Sequence, residues 1–235
     1  MTQRNLPQPW QVVWKEEKRV LRLGKEPVLS LELSWPEIQR GGRGGRRVSQ
    51  YYRKVVQTWN ARWEKTLYCR ACLALAASRE KGQTFSPWSA RLEGQVTFQD
   101  GENLSIVLDA WEDWGDGRPL QVRTADLWTV PDGRPLSKGR CWPEGRARRQ
   151  LFRELAQQGQ ARRDTGDCFL DPDFAKKLPR ALSWRRCART DEGLEYYAPQ
   201  GVLAVPVEGV VTFRAPVPPP PGKSRRKGKA KESGR

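Results

Sequence analysis

Histidine is absent from the 235-residue chain, and that absence removes Ser–His and Cys–His nucleophile pairs and every His-ligated metal together. No window approaches 18 consecutive apolar residues, so no membrane-spanning helix is expected. The N-terminal run MTQRNLPQPWQVVW lacks the charged-then-apolar order of a signal peptide. Those two absences set the expectation of a cytoplasmic protein with reduced thiols. Five cysteines are an odd number, which excludes a fully paired intramolecular disulfide framework. Apolar residues are scarce at 37%, below the usual share for a globular chain.

Base and tryptophan are what the chain has in plenty. Forty-three Lys and Arg against 27 acids give a net charge of +16, and eleven Trp supply large apolar payloads to a core. A balance this basic favours anionic partners such as nucleic acid, an acidic protein face or a cell-wall polymer; a merely solubilising surface is the plain alternative. The length and composition fit one domain over 10–216, preceded by an extension (1–9) and followed by a Pro-rich basic tail (217–235) that is expected to be disordered.

Along the chain, Trp10–Leu23 reads as strand-like pieces or as a helix with a polar KEEKR centre, and the pattern leaves both open. Val28 to Trp35 alternates as a strand ending at Pro36. The run Arg40–Arg47 (RGGRGGRR) has the composition of a flexible cationic linker. Val48–Ala77 is the clearest helix, with Val48, Tyr52, Val55, Trp59 and Trp63 on one stripe and Ser49 as a cap. Trp88–Phe98, Leu104–Trp114 and Leu120–Val130 are strand-length runs, each followed by Asp-Gly, the signature of an antiparallel meander. Glu144–Arg163 is a second helix and Pro172–Leu182 a third, capped by Asp171, with Leu182–Arg189 a further strand. Gly193–Pro216 (GLEYYAPQGVLAVPVEGVVTFRAP) is the most apolar, β-branched stretch. It reads as a strand including Val202 and Ala204, a kink and a second strand, closing the sheet under the Val48–Ala77 helix.

Candidate chemistry is sparse. Cys69-x-x-Cys72 lies inside the long helix without a second pair, so the thiols read as packing groups. Asp109, Glu112, Asp113 and Asp116 read as a solvated turn, and the single Asp-Thr-Gly at Asp164 lacks the second carboxylate a dyad needs. No catalytic residue, metal site or cofactor is expected. The basic positions Arg40, Arg43, Arg46 and Arg47 in the loop, and Lys223, Arg225, Arg226, Lys227 and Lys229 in the tail, are the candidate anion-binding residues. No aromatic interleaves the tail, so binding to nucleic acid there would be to phosphate and salt-sensitive.

Taken in order, LELSWPEI, the helix VSQYYRKVVQTW, the strand LSIVLDAW, the helical REL and the closing GLEYYAPQGVLAVPVEGVVTFRAP form a familiar series. From about Val28 to Pro216 the chain resembles the domain shared by the extracytoplasmic part of the anti-sigma-V factor RsiV and the N-terminal region of the peptidoglycan deacetylase PdaC. The resemblance implies an α+β fold, an antiparallel sheet with a long helix and one or two shorter helices packed on it. It also implies a non-enzymatic binding or sensing module that holds a protein, such as lysozyme, or a cell-wall glycan. Family members are usually extracytoplasmic, whereas no transmembrane, sigma-binding or deacetylase segment is expected from these residues. The alternative is a nucleic-acid-associated protein that uses the basic loop and tail.

Overall fold

The run with the polar centre settles as a strand. β1 (Gln11–Leu23) and β2 (Glu26–Gln39) form a long antiparallel hairpin. β1 is the outer strand of its sheet, and the exposed Lys15–Lys18 segment puts charge along an edge that would otherwise invite pairing with another chain. β2 runs on through Pro36 to Gln39. Its pairing to the next strand covers only Leu29–Leu33, so Pro36 sits where that side of the ladder is open. This computed structural model describes residues 10–130 and 132–218; the 1–9 extension and the tail candidates Lys223, Arg225, Arg226, Lys227 and Lys229 lie outside the described residues.

The chain is helical without a break from 42 to 80: α1 (Gly42–Arg62), one π-type stretch (Trp63–Leu67) and α2 (Tyr68–Glu80). The RGGRGGRR run is therefore no linker. Its first Arg and Gly make the turn and the remainder is the first turns of α1. Close approach explains the glycines: a Cβ on Gly41 or Gly45 would meet Ile38 Cγ2 at 2.7 and 2.8 Å. Ser49 is not a cap but lies inside the helix, where its hydroxyl accepts the Ile38 N–H (2.8 Å) and donates to the Gly45 carbonyl (2.9 Å). The helix carries the chain back so that β3 (Trp88–Gln99) pairs with β2 in parallel. The six-stranded sheet is thus mixed where an all-antiparallel one was expected; β3, β4 (Asn103–Asp113) and β5 (Leu120–Thr129) form the anticipated meander, and β6 (Arg134–Pro135) adds a short edge.

The second half of the chain builds its own layers. α3 (Gly145–Asp164) and α4 (Phe174–Ala181) precede a separate antiparallel sheet of β7 (Cys187–Thr190), β8 (Gly193–Ala198) and β9 (Val211–Ala215). β7 starts only after a 3-10 turn at Trp184–Arg186, and α4 opens at Phe174. Asp171 supports that opening from outside it, accepting the Asp173 N–H at 2.8 Å and Lys177 Nζ at 2.6 Å. The closing stretch is consequently not packed under the long helix. Alternation along β8 sends Tyr197 toward Val107 and Ala125 of the large sheet, and Leu194, Tyr196 and Ala198 toward α3 and α4. Residues 199–210 form a loop instead of a strand, with a β-bridge between Leu170 and Ala204.

The architecture is α+β in four layers: long helix, six-stranded sheet, three-stranded sheet, short helices. Val48, Tyr52, Val56, Trp63 and Leu67 cover one face of the large sheet, against Leu29, Leu31, Leu92, Ile106 and Trp128. β4 is buried on both faces along nearly its whole length. Among the described residues, no helix is long and apolar enough to cross a membrane.

Candidate functional site

Two surface sites gather polar or aromatic chemistry. The first is the start of α1, where a pocket of about 320 Å³ is lined by Arg43, Arg47, Arg134 and Asp132 over the backbone of Gly41–Gly44. α1 has no acidic residue in its first turn and no side-chain cap, so no side chain satisfies its first N–H groups. The β5–β6 turn closes onto it: Arg47 Nη1 donates to the Asp132 carbonyl at 3.0 Å, and Gly133 approaches so near that a Cβ would strike the Gly44 carbonyl. Helical spacing puts Arg43 and Arg47 on one side of α1. Of the four basic-loop candidates those two line the pocket, whereas Arg40 (in the preceding turn, φ 54°) and Arg46 are exposed outside its lining. Arg134 joins them from far along the chain, and nothing local in the sequence marks it as a partner.

The second site is larger, a groove of about 890 Å³ between the β4–β5 turn and the loop that follows β8. Trp111 and Trp114 form one wall with Leu120, and Pro206 and Val207 form the other. Trp114 keeps its place by stacking on Trp88, ring centres 5.9 Å apart. Arg91 lies over the Trp111 ring, 6.0 Å from its centre. The Trp111 indole N–H is buried without an acceptor among the described residues, a state that costs on the order of 1–3 kcal/mol. Asp116, Arg118 and Glu208 bring charge to the lining.

Two glutamines fix the loop that makes the far wall. Gln200 accepts the Gln121 N–H (2.7 Å) and donates to the carbonyls of Pro119 (2.9 Å) and Pro206 (2.7 Å). Gln121 accepts the Val210 N–H at 3.0 Å and reaches Asp109 at 3.4 Å. Their amides are spent on structure, so the groove is apolar at its walls and charged at its edge. Val207 is left 85% exposed and Val205 45%. The sequence reading takes the acids around Trp111 and Trp114 as a solvated turn and gives the two aromatics no binding role. Trp111 and Trp114 three apart beside an Asp-Gly turn were the available signal, but the opposite wall comes from the 199–209 loop, which only folding delivers.

No protein-family model matches the chain, and no curated protein matches it in sequence. Solved structures do. A DUF3298 family protein from Bacteroides fragilis superposes with a TM-score of 0.62 at 14% identity, covering 91% of this chain and 92% of that one. A DUF3298 family protein from Pseudomonas aeruginosa gives 0.58 at 14% identity, with 89% and 91% covered. The likeness is one of fold.

The remaining sequence candidates fall into structural roles. Strand alternation sends Asp109 and Glu112 to opposite faces of β4, so they are not a carboxylate pair. Arg123 grips Asp109 with two bonds of 2.8 Å and lies 5.1 Å over the Tyr197 ring, tying one sheet to the other. Burial pushes the Tyr197 hydroxyl well up from its ordinary pKa, with Glu195 adding to the effect. Glu112 accepts Arg62 Nε at 2.9 Å and Trp63 Nε1 at 3.0 Å, where the helix changes to its π-type stretch. Asp113 and Asp116 hold the β4–β5 turn by accepting the N–H groups of Gly115 and Arg118, both at 2.9 Å. Cys69 and Cys72 lie on α2, exposed and half-buried. Asp164 ends α3 and Thr165 follows as its last cap.

Proposed function

We propose that the protein is a non-enzymatic binding module that holds a cell-wall glycan in the Trp111–Trp114 groove. The observation that carries this reading is the buried, unpaired indole N–H of Trp111 in the wall of an open aromatic groove. A pyranose ring offers a flat C–H face that packs on an indole, and its hydroxyl or acetamido oxygens accept hydrogen bonds from N–H groups. Asp116, Arg118 and Glu208 in the lining supply polar groups suited to the remaining sugar hydroxyls. The acids of β4 and its turn are engaged in fold contacts, which favours binding over acid–base chemistry. The sequence resemblance to the RsiV/PdaC-type domain points the same way, and the DUF3298 family is related to that domain.

Calorimetry with N-acetylglucosamine-containing peptidoglycan fragments tests the proposal. Trp111→Ala and Trp114→Ala should each weaken binding by about tenfold or more, at about 1.4 kcal/mol per factor of ten. Retention of lysozyme with no response to the fragments would move the reading to a protein partner.

A second reading, binding to nucleic-acid phosphate, is favoured by the convergence of Arg43, Arg47 and Arg134 on one pocket. Replacing all three with alanine should lower the slope of log affinity against log salt by about two to three, since each phosphate contact contributes roughly one. An unchanged slope would remove this pocket from any nucleic-acid role.

A further inference from the structure

The fold sorts the five cysteines unequally. Cys69 and Cys72 lie at the surface of α2, and Cys168 is buried beyond the end of α3. Cys141 and Cys187, distant in sequence, come together in the core beneath α3 and α4, each only 1% exposed. Cys141 Sγ donates to the Lys138 carbonyl at 3.6 Å and Cys187 Sγ to the Ala188 carbonyl at 3.8 Å, and the two thiols are near enough for each to shift the other's pKa. Tyr196 fixes the meeting from a third side. It pairs with Cys187 across β7 and β8, and its hydroxyl donates to the Cys141 carbonyl at 2.8 Å. Its ring packs edge-on against Trp142 at 5.5 Å, which holds the turn carrying Cys141 down on β7.

We propose that Cys141 and Cys187 are a disulfide-forming pair, a covalent staple between the turn that leads into α3 and strand β7. The two sulfurs are chemically unequal, as an exchange reaction needs. In the folded chain the neighbouring Cys187 thiol lowers Cys141 below its ordinary pKa, whereas burial pushes Cys187 well above it. To the extent that this turn and β7 have met when exchange occurs, the same inequality makes Cys141 the attacking thiolate.

The oxidant is a small disulfide such as glutathione disulfide. Cys141 loses its proton and its sulfur attacks the oxidant, forming a mixed disulfide and releasing one thiolate. Cys187 then loses its proton and attacks the Cys141 sulfur; the new S–S bond forms as the second thiolate leaves. The two protons complete two thiols, and two electrons have passed from protein to oxidant. With both sulfurs buried, exchange takes place while the chain is still folding, before α3 closes over the turn.

The test is to refold the full chain from urea in a mixture of reduced and oxidised glutathione, then compare it with the reduced protein. The expected product is lighter by about 2 Da, loses two of the five thiols to titration in denaturant, and yields a proteolytic peptide joining Cys141 to Cys187. Its thermal midpoint should lie about 5–10 °C above that of the reduced form. Cys141→Ala and Cys187→Ala should each abolish the cross-link. Five free thiols after oxidative refolding would overturn the proposal, and so would a cross-link mapping to Cys69–Cys72 or to Cys168. Mapping on the unaltered chain decides the matter even if a variant fails to fold.

Discussion

Buried ionisable side chains in this protein act as fasteners, and two of them make measurable demands. The Glu112 side chain is 3% exposed and is held by Arg62, itself 49% exposed, and by the Trp63 indole. Arg62→Ala leaves the carboxylate with one donor in an apolar wall. The expected loss is about 2 kcal/mol, discounted from a fully buried pair because water reaches the guanidinium; urea unfolding measures it, and Glu112→Gln with Arg62 intact should lose less. Asp126 accepts the hydroxyls of Tyr52 at 3.1 Å and Tyr51 at 3.2 Å. Burial raises its pKa above the ordinary carboxylate value, and the two hydroxyls only partly pull it back. A raised carboxyl holds its proton to higher pH in the folded chain than in the unfolded one. Its contribution is therefore fullest below the unfolded pKa, near 4, and is lost as pH rises through the folded pKa. Asp126→Asn should flatten the fall in stability across that acidic window, as read by urea midpoints at successive pH values. A variant that keeps the wild-type slope would assign it to other acids.

At the scale of elements, close approach and edge protection decide what sequence pattern leaves open. Gly133 has φ 61° and sits against the Gly44 carbonyl. Gly133→Ala adds both backbone strain and a clash, costing about 1–3 kcal/mol, and should push the β5–β6 turn off the start of α1. Thermal unfolding reads the cost, and weaker anion protection of the Arg43–Arg47–Arg134 pocket reads the displacement. β9 is an edge strand, and α3 covers it with side chains in place of a neighbour. Gln158 donates to the Arg214 carbonyl at 3.1 Å and accepts its N–H at 2.9 Å, as a pairing strand would, while Arg162 donates to the Thr212 carbonyl at 3.0 Å. Gln158→Ala should cost about 1 kcal/mol and, by uncovering the ladder, promote concentration-dependent self-association visible in sedimentation. Monomeric behaviour at all concentrations would show that Arg162 alone protects the edge.

In the whole molecule the four layers share one strand. β4 is sealed by the long helix on one face and by the three-stranded sheet on the other. Its amides should exchange with deuterium more slowly than those of any other strand, opening only with global unfolding, whereas the charged outer strand β1 should exchange early. Sequence by itself determined the local parts: the apolar stripe from Val48 onward made a helix because its period is helical, Asp116-Gly117 made a tight turn because Gly117 accepts φ 72°, and Asp100-Gly101 made one because Asp100 accepts the Glu102 and Asn103 N–H groups. The α+β class followed from those parts and from the family resemblance. Arg43 and Arg47 were legible as candidate anion-binding residues and both line one pocket, but Arg134 beside them was not legible, because it arrives through a turn about ninety places away. Likewise the two tryptophans of the groove stand in the sequence, but its other wall, the 199–209 loop, is placed by Gln200 and Gln121, whose bonds no local pattern announces. Only the tertiary structure decided that the closing stretch forms a second sheet facing α3 and α4 instead of the long helix. Alternation says which residues share a face; it does not say which layer the face will meet, because that depends on the area every other element has already buried.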